Sequence, residues 1–276
     1  MIPASLHYHR ARDLTEALEL RQAYGDQLRP LAGGQSLLPA LKLRRDRVDT
    51  LLDLGRVTEL SYVAHRDDHL AVGALTRYHL LLDDPLVDRY APLLAVAAAA
   101  VGDPQVRHLG TVGGALAQAD PAADLPLALV ALDAVVVLRS ATGARQVPAA
   151  ELAVAPGVTV CRPDELVTEV RVPLPGPARW RYRTFARPAL EWSVVAVAVA
   201  DSRVALAGMG PTIRRAYGVE AALGEGAGVT VAAARADEGC DPPDDVRASA
   251  AYRRHLSRVL VARALTDSGS TAEGPR

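Results

Sequence analysis

Two short glycine-bearing loops carry the most legible chemistry in this chain: Ala32-Gly33-Gly34-Gln35-Ser36, running into Leu37, and Gly110-Thr111-Val112-Gly113-Gly114-Ala115. A glycine pair lets the main chain approach an anion with no Cβ in the way, and successive N–H groups can converge on that anion as a nest. Each loop runs into a stretch able to open a helix or tight turn, and a helix N-terminus attracts negative charge. Two such loops, one subdomain apart, make a split diphosphate cradle, and the anion that suits it is the pyrophosphate of a dinucleotide. Asp120 and Asp124 follow the second loop as acceptor-only groups suited to sugar hydroxyls. Asp124 is equally able to cap a helix. No G-x-G-x-x-G follows the first strand, and Gly208-Met209-Gly210-Pro211 lacks a P-loop lysine, which argues against a Rossmann or P-loop site.

The elements that must position these loops fall into three units. In the first, Asp13 caps a helix carrying Leu14, Ala17, Leu18 and Arg21 before Gly25 ends it. Leu31 and Ala32 finish a short strand, Leu37 to Leu43 suits a helix pointing its N-terminus at the loop, and Thr50 to Leu54 suits a strand. The second unit opens with strands at Leu60 to Ala64 and Leu70 to Gly73, then Thr76 as a helix cap. Pro85 to Val101 reads as one alanine-rich helix with Leu93, Leu94, Ala97 and Val101 on a stripe. After the second loop, Asp124-Leu125-Pro126 opens another helix, and Ala134 to Leu138 and Val167 to Val172 read as strands. Pro173-Leu174-Pro175-Gly176-Pro177 stops both helix and ladder pairing and reads as a linker. Beyond it, Arg181 to Ala186, Val194 to Ala200 and Val204 to Met209 suit an antiparallel sheet, with helices at Ala216 to Leu223 and Tyr252 to Leu265 on one face.

Composition narrows the function classes. The 276 residues carry a formal net charge of -1 with both signs interspersed, which gives no patch for a nucleic-acid backbone or an anionic membrane. Cys161 and Cys240 lie far apart and form no C-x-x-C, so this chain builds neither a disulfide framework nor an iron–sulfur cluster. The close histidine pairs, His7 with His9 and His65 with His69, have no nearby cysteine or third ligand to make a metal site. Met1-Ile2-Pro3-Ala4-Ser5 shows no basic and apolar export signal, and no apolar run spans a bilayer, so a cytoplasmic protein is expected.

The motifs resemble those of a known family. Leu31-Ala32-Gly33-Gly34-Gln35-Ser36-Leu37-Leu38-Pro39, continuing to Lys42-Leu43-Arg44, is similar to the first flavin loop of the FAD-binding medium subunits of molybdenum hydroxylases, the xanthine dehydrogenase and aerobic carbon monoxide dehydrogenase family. The run from Gly102 through Gly110-Thr111-Val112-Gly113-Gly114-Ala115 to Asp120-Pro121-Ala122-Ala123-Asp124-Leu125-Pro126 resembles its second flavin loop. Ala207-Gly208-Met209-Gly210-Pro211-Thr212 and Tyr252-Arg253-Arg254-His255-Leu256 are similar to its C-terminal domain. Ala115 stands where relatives often carry serine or asparagine, His108-Leu109 where Asn-Arg is usual, and Gln118 where histidine is common.

The resemblance implies an α+β chain. Residues 1–175 would form a vanillyl-alcohol-oxidase-like FAD-binding domain, with subdomains about 1–55 and 56–175. Residues 178–267 would form a small antiparallel-sheet-plus-helices C-terminal domain, and 268–276 a disordered tail. It also implies FAD contacts from Ala32 to Leu37, from Gly110 to Ala115 and at Asp120 and Asp124, with Trp192 and Arg187 near the flavin ring. No catalytic acid or base is implied, because the cofactor carries the chemistry. The partners implied are a small subunit with [2Fe-2S] clusters and a large one with molybdopterin, in a dimer of heterotrimers, with NAD, quinone and oxygen all open as acceptors. The rival readings are a free-standing flavoenzyme of the same fold, with Gln35 where a covalent histidine would sit, and a non-catalytic nucleotide-binding protein.

Overall fold

A computed structural model describes residues 3–186 and 192–266. The tail from Ser268 and the flavin-ring candidate Arg187 lie outside the described residues. The first unit comprises β1 (His7–Arg10), α1 (Leu14–Tyr24), β2 (Leu28–Leu31), α2 (Leu37–Lys42) and β3 (Thr50–Asp53). Its sheet is parallel in the order β1-β3-β2, with Leu31 opposite Asp53. Asp13 accepts the Glu16 N–H at the start of α1, and Gly25 ends that helix at φ +52. The first glycine loop therefore leaves the carboxyl end of a parallel strand, where open α/β sheets place their ligands.

The second unit begins with β4 (Val63–His65) and β5 (His69–Gly73). Six helices follow: α3 (Tyr78–Leu82), α4 (Pro85–Tyr90), α5 (Pro92–Ala100), α6 (Pro104–Leu109), α7 (Val112–Gln118) and α8 (Asp124–Ala131). It closes with β6 (Val135–Ser140), β7 (Gly143–Pro148), α9 (Ala149–Leu152), β8 (Ala153–Ala155), β9 (Val158–Thr159) and β10 (Leu166–Pro173). The main sheet is antiparallel, β4-β5-β10-β6-β7. Along β10, Leu166, Thr168, Val170 and Val172 are buried and alternate with more exposed neighbours, the period of a half-buried strand. The single helix expected from Pro85 to Val101 is two, because Pro92 has no N–H to continue α4 and instead takes the first position of α5. Thr76 does not cap α3. Its hydroxyl donates to the Tyr62 carbonyl at 2.8 Å and accepts the Tyr62 N–H at 3.0 Å.

The third unit has β11 (Trp180–Phe185), β12 (Val195–Ala200), β13 (Arg203–Ala207) and β14 (Arg214–Arg215) as an antiparallel sheet in sequence order. It is followed by α10 (Tyr217–Gly224), α11 (Val229–Ala233) and α12 (Ala250–Thr266). Every residue of β12 is buried. Its alanines, Ala196, Ala198 and Ala200, share a core with Leu125, Leu127 and Leu129 of α8. Its valines, Val195, Val197 and Val199, pack with Leu256, Leu260 and Val261 of α12. Small side chains on one face admit a helix that is apolar on all sides, and larger ones fill the space beneath the other. Ala198→Leu is expected to lower unfolding free energy by about 1–3 kcal/mol through overpacking. Val246→Ala, at a residue 97 % exposed, should stay within about 0.5 kcal/mol; urea denaturation of both variants measures the difference.

Candidate flavin site

The two glycine loops touch. A Cβ on Gly33 would lie 2.1 Å from the Leu109 carbonyl oxygen and 2.9 Å from the Gly110 Cα, so this glycine is required by the crossing of the second loop's backbone. Gly34 adopts φ +72, which turns the chain from β2 into α2. Around that turn the N–H groups of Gly33, Gly34, Gln35 and Ser36 donate to no described residue, whereas the Gly34 carbonyl accepts from Leu38 at 3.1 Å. Four consecutive unpaired donors ahead of a helix make an anion nest.

The second loop is more helical than a plain turn. Thr111 caps α7, its hydroxyl oxygen accepting the Gly114 N–H at 3.2 Å. The Gly113 N–H donates to the Ala74 carbonyl at 2.8 Å, and the Val112 N–H donates to the Thr76 carbonyl at 3.1 Å. These donors are spent inside the chain. A Cβ on Gly113 would lie 2.6 Å from that of Ala74, so this glycine serves the packing of α7 against the end of β5. The Thr111 N–H donates to no described residue, and its hydroxyl hydrogen is still free to point at a ligand.

A cleft of about 520 Å³ opens between the loops, within the range of small-molecule sites. Every residue from Ala32 to Leu37 lines it, as do Gly110, Thr111, Gly113, Gly114, Ala115 and Asp120. Trp192, half exposed, also lines it. Val112 is fully buried behind the loop. Asp124 does not line the cleft: its carboxylate accepts the Tyr182 hydroxyl of β11, and the N-cap of α8 is Ala123. Burial pushes the Asp124 carboxyl up to about 6, with the Asp120 charge adding to the rise and the Tyr182 hydroxyl opposing it.

Tyr78 also lines the cleft, and burial, then the charge of Asp124, raises its phenol. No sequence motif marks Tyr78. Tyr182 had a faint signal, as it alternates with Trp180 on one face of a strand. At the far end of the cleft, burial raises the Cys161 thiol, which disfavours a nucleophilic thiolate there. Among the described residues no cluster of His, Cys, Asp and Glu is suited to a metal ion, and no helix is long and apolar enough to cross a membrane.

A family model for the FAD binding domain in molybdopterin dehydrogenase matches residues 4–175. The chain belongs to this family. A second model, the CO dehydrogenase flavoprotein C-terminal domain, matches residues 180–268 of this medium-subunit homologue. The glyceraldehyde dehydrogenase medium chain of Sulfolobus acidocaldarius is 38% identical, over 97% of this chain and 99% of that one. The carbon monoxide dehydrogenase medium chain of Hydrogenophaga pseudoflava is 34% identical, over 96% of this chain and 97% of that one. Among solved structures, carbon monoxide dehydrogenase from Hydrogenophaga pseudoflava aligns with a TM-score of 0.90 at 35% identity, covering 96% of this chain and 97% of that one. Quinoline 2-oxidoreductase from Pseudomonas putida 86 aligns at 0.88 and 28% identity, over 96% and 97% of the two chains. This medium subunit is thus an FAD-binding component of a molybdenum hydroxylase-type oxidoreductase, with an α+β, vanillyl-alcohol-oxidase-like fold.

The donor set suits that cofactor, since unpaired N–H groups on one wall and Thr111 on the other match the oxygens of a diphosphate. Gly33→Ala should separate the loops, lowering stability by about 1–3 kcal/mol and releasing flavin. Gly143→Ala, where a Cβ meets nothing within 4 Å, should change neither. Thermal melts and the flavin content of both purified variants test this reading of Gly33.

Proposed function

We propose that this medium subunit relays electrons. A small partner with [2Fe-2S] clusters delivers them, FAD on this chain receives them, and an external acceptor takes them away, while a large partner holding molybdopterin oxidises the primary substrate. The assembly proposed is a dimer of heterotrimers. The observation that carries this reading is the run of unpaired N–H groups from Gly33 to Ser36, facing Thr111 across a cleft.

In that reading the N–H groups hold the cofactor's diphosphate and the Thr111 hydroxyl adds a donor to it. Asp120 would accept from sugar hydroxyls and Trp192 would lie against the flavin ring; Arg187, the other expected ring contact, lies outside the described residues. When bound, FAD supplies the chemistry of taking electrons singly and passing them on in pairs. The chain's two cysteines are free, Cys240 buried and Cys161 half-buried, which supports iron–sulfur ligation by a separate subunit. The names of relatives point the same way: the Hydrogenophaga carbon monoxide dehydrogenase structure is described as lacking the Mo-pyranopterin part of its molybdenum cofactor, so that enzyme is one that uses molybdenum.

The test is the visible spectrum of the protein purified gently from its native host, with co-purifying chains identified. Releasable FAD together with a large molybdenum-bearing and a small iron–sulfur partner is the expected result. Flavin without partners would favour the free-standing flavoenzyme. A colourless chain that cannot be reconstituted would remove both readings. In reconstitution, Thr111→Val should weaken FAD binding roughly fivefold, the loss of one net hydrogen bond, and Thr111→Ser should restore it; fluorescence titration measures both.

A further inference from the structure

Asp124 is the carboxylate of the expected site that turns away from the cleft, and its surroundings give it another task. It occupies the first turn of α8 without capping it, and its carboxylate accepts the Tyr182 hydroxyl from the third unit. The five-residue segment from Asp120 to Asp124 is tied to that unit twice. The Gly208 N–H donates to the Pro121 carbonyl at 2.9 Å, and Tyr182 holds Asp124. Between these ties the segment is a stiff turn: the Asp120 carboxylate accepts the Ala122 N–H at 2.9 Å, and its carbonyl accepts the Ala123 N–H at 3.2 Å. Asp120 faces the cleft at one end, and Asp124 sits behind it at the other. The described titratable groups acting with Asp124 are Tyr182 from β11, Asp120 from the same segment and Tyr78 from α3.

We propose that Tyr182 is a positioning residue for the flavin site: by holding the Asp124 carboxylate behind the Asp120 segment, it lets the C-terminal unit set the charge that FAD meets in the cleft. This rests on the reading that the cleft binds FAD. Reduction brings negative charge into the cleft, and a carboxylate close behind it opposes that change. Protonating Asp124 removes the opposition, so the potential of bound FAD rises as pH falls through the titration of Asp124, which burial places near 6. The Tyr182 hydroxyl favours the charged carboxylate. Without it Asp124 stays protonated to higher pH, and the potential near neutrality is higher.

The experiment measures the midpoint potential of the full chain reconstituted with FAD, from roughly pH 5 to 8, in the parent, Tyr182→Phe and Asp124→Asn. The parent's potential should rise on acidification by more than that of Asp124→Asn. The flavin's own proton uptake bends every curve in this range, so Asp124 is read from the difference between parent and Asp124→Asn: that difference should change as a step near 6, and against Asp124→Asn the step in Tyr182→Phe should lie about one pH unit higher. FAD retention is measured alongside, because a purely structural Tyr182 would change retention and leave the step in place. Parent and Asp124→Asn curves that run parallel across the whole range overturn the proposal, as does a Tyr182→Phe curve that coincides with the parent's. If Tyr182→Phe does not fold, Tyr182→Met, which likewise removes the hydroxyl, is measured in its place. A parent that cannot bind FAD at all fails the electron-relay reading itself, which is a distinguishable result.

Discussion

The constraint on which the rest of the molecule depends is the burial of α8 on every side. Leu125 to Ala131 are all buried, which leaves no solvent face to this helix and requires protein around its whole circumference. Helices α5, α7 and α9 supply part of that cover, and the alanine face of β12 and β13, with β14, supplies more. Each fully buried leucine contributes about 1.5–3 kcal/mol relative to exposure, so the contact is a main source of cohesion. It also fixes where the segment from Asp120 to Asp124 enters the helix, and with it one wall of the cleft.

The cradle is built at an intersection. Its donor-rich wall comes from the end of a parallel sheet in the first unit, and its other wall from the start of α7 in the second. The glycines that look designed for a ligand mostly serve this intersection. Gly33 clears the Leu109 carbonyl, and Gly113 clears Ala74. The crossing leaves Gly33 to Ser36 with N–H groups that donate to no described residue. Tight packing and open hydrogen-bond capacity are thus two results of one backbone path.

What the sequence made legible was local. Asp13 and Gly25 bracket α1 through contacts a few residues away, and the alternation along β10 is visible in its letters. The alternation in β12 could be read as a strand, but which face met which helix could not, because α8 lies about seventy residues upstream. Thr76 has the form of a cap, yet its partner is Tyr62, just before β4. Gly113 and Gly114 lower helix propensity and so suggested a loop, whereas packing against Ala74 holds them in α7. In the site, the first loop's donors were legible from type and spacing. Tyr78 and the Tyr182–Asp124 bond were not, since both depend on residues brought together only by the fold.

The alanine face of β12 has a consequence for how the chain behaves as a whole. The proline-rich stretch after β10 divides the polypeptide as a string, but the core shared by α8 and β12 does not divide there. Cleavage or truncation in that stretch would strip an apolar helix of one side and expose a strand of alanines, two sticky surfaces made from one dry contact. Melting of the third unit would loosen α8 and, through it, the wall of the cleft. The connector is therefore a seam in covalent order and not in packing: the two family domains that meet near it share one buried core.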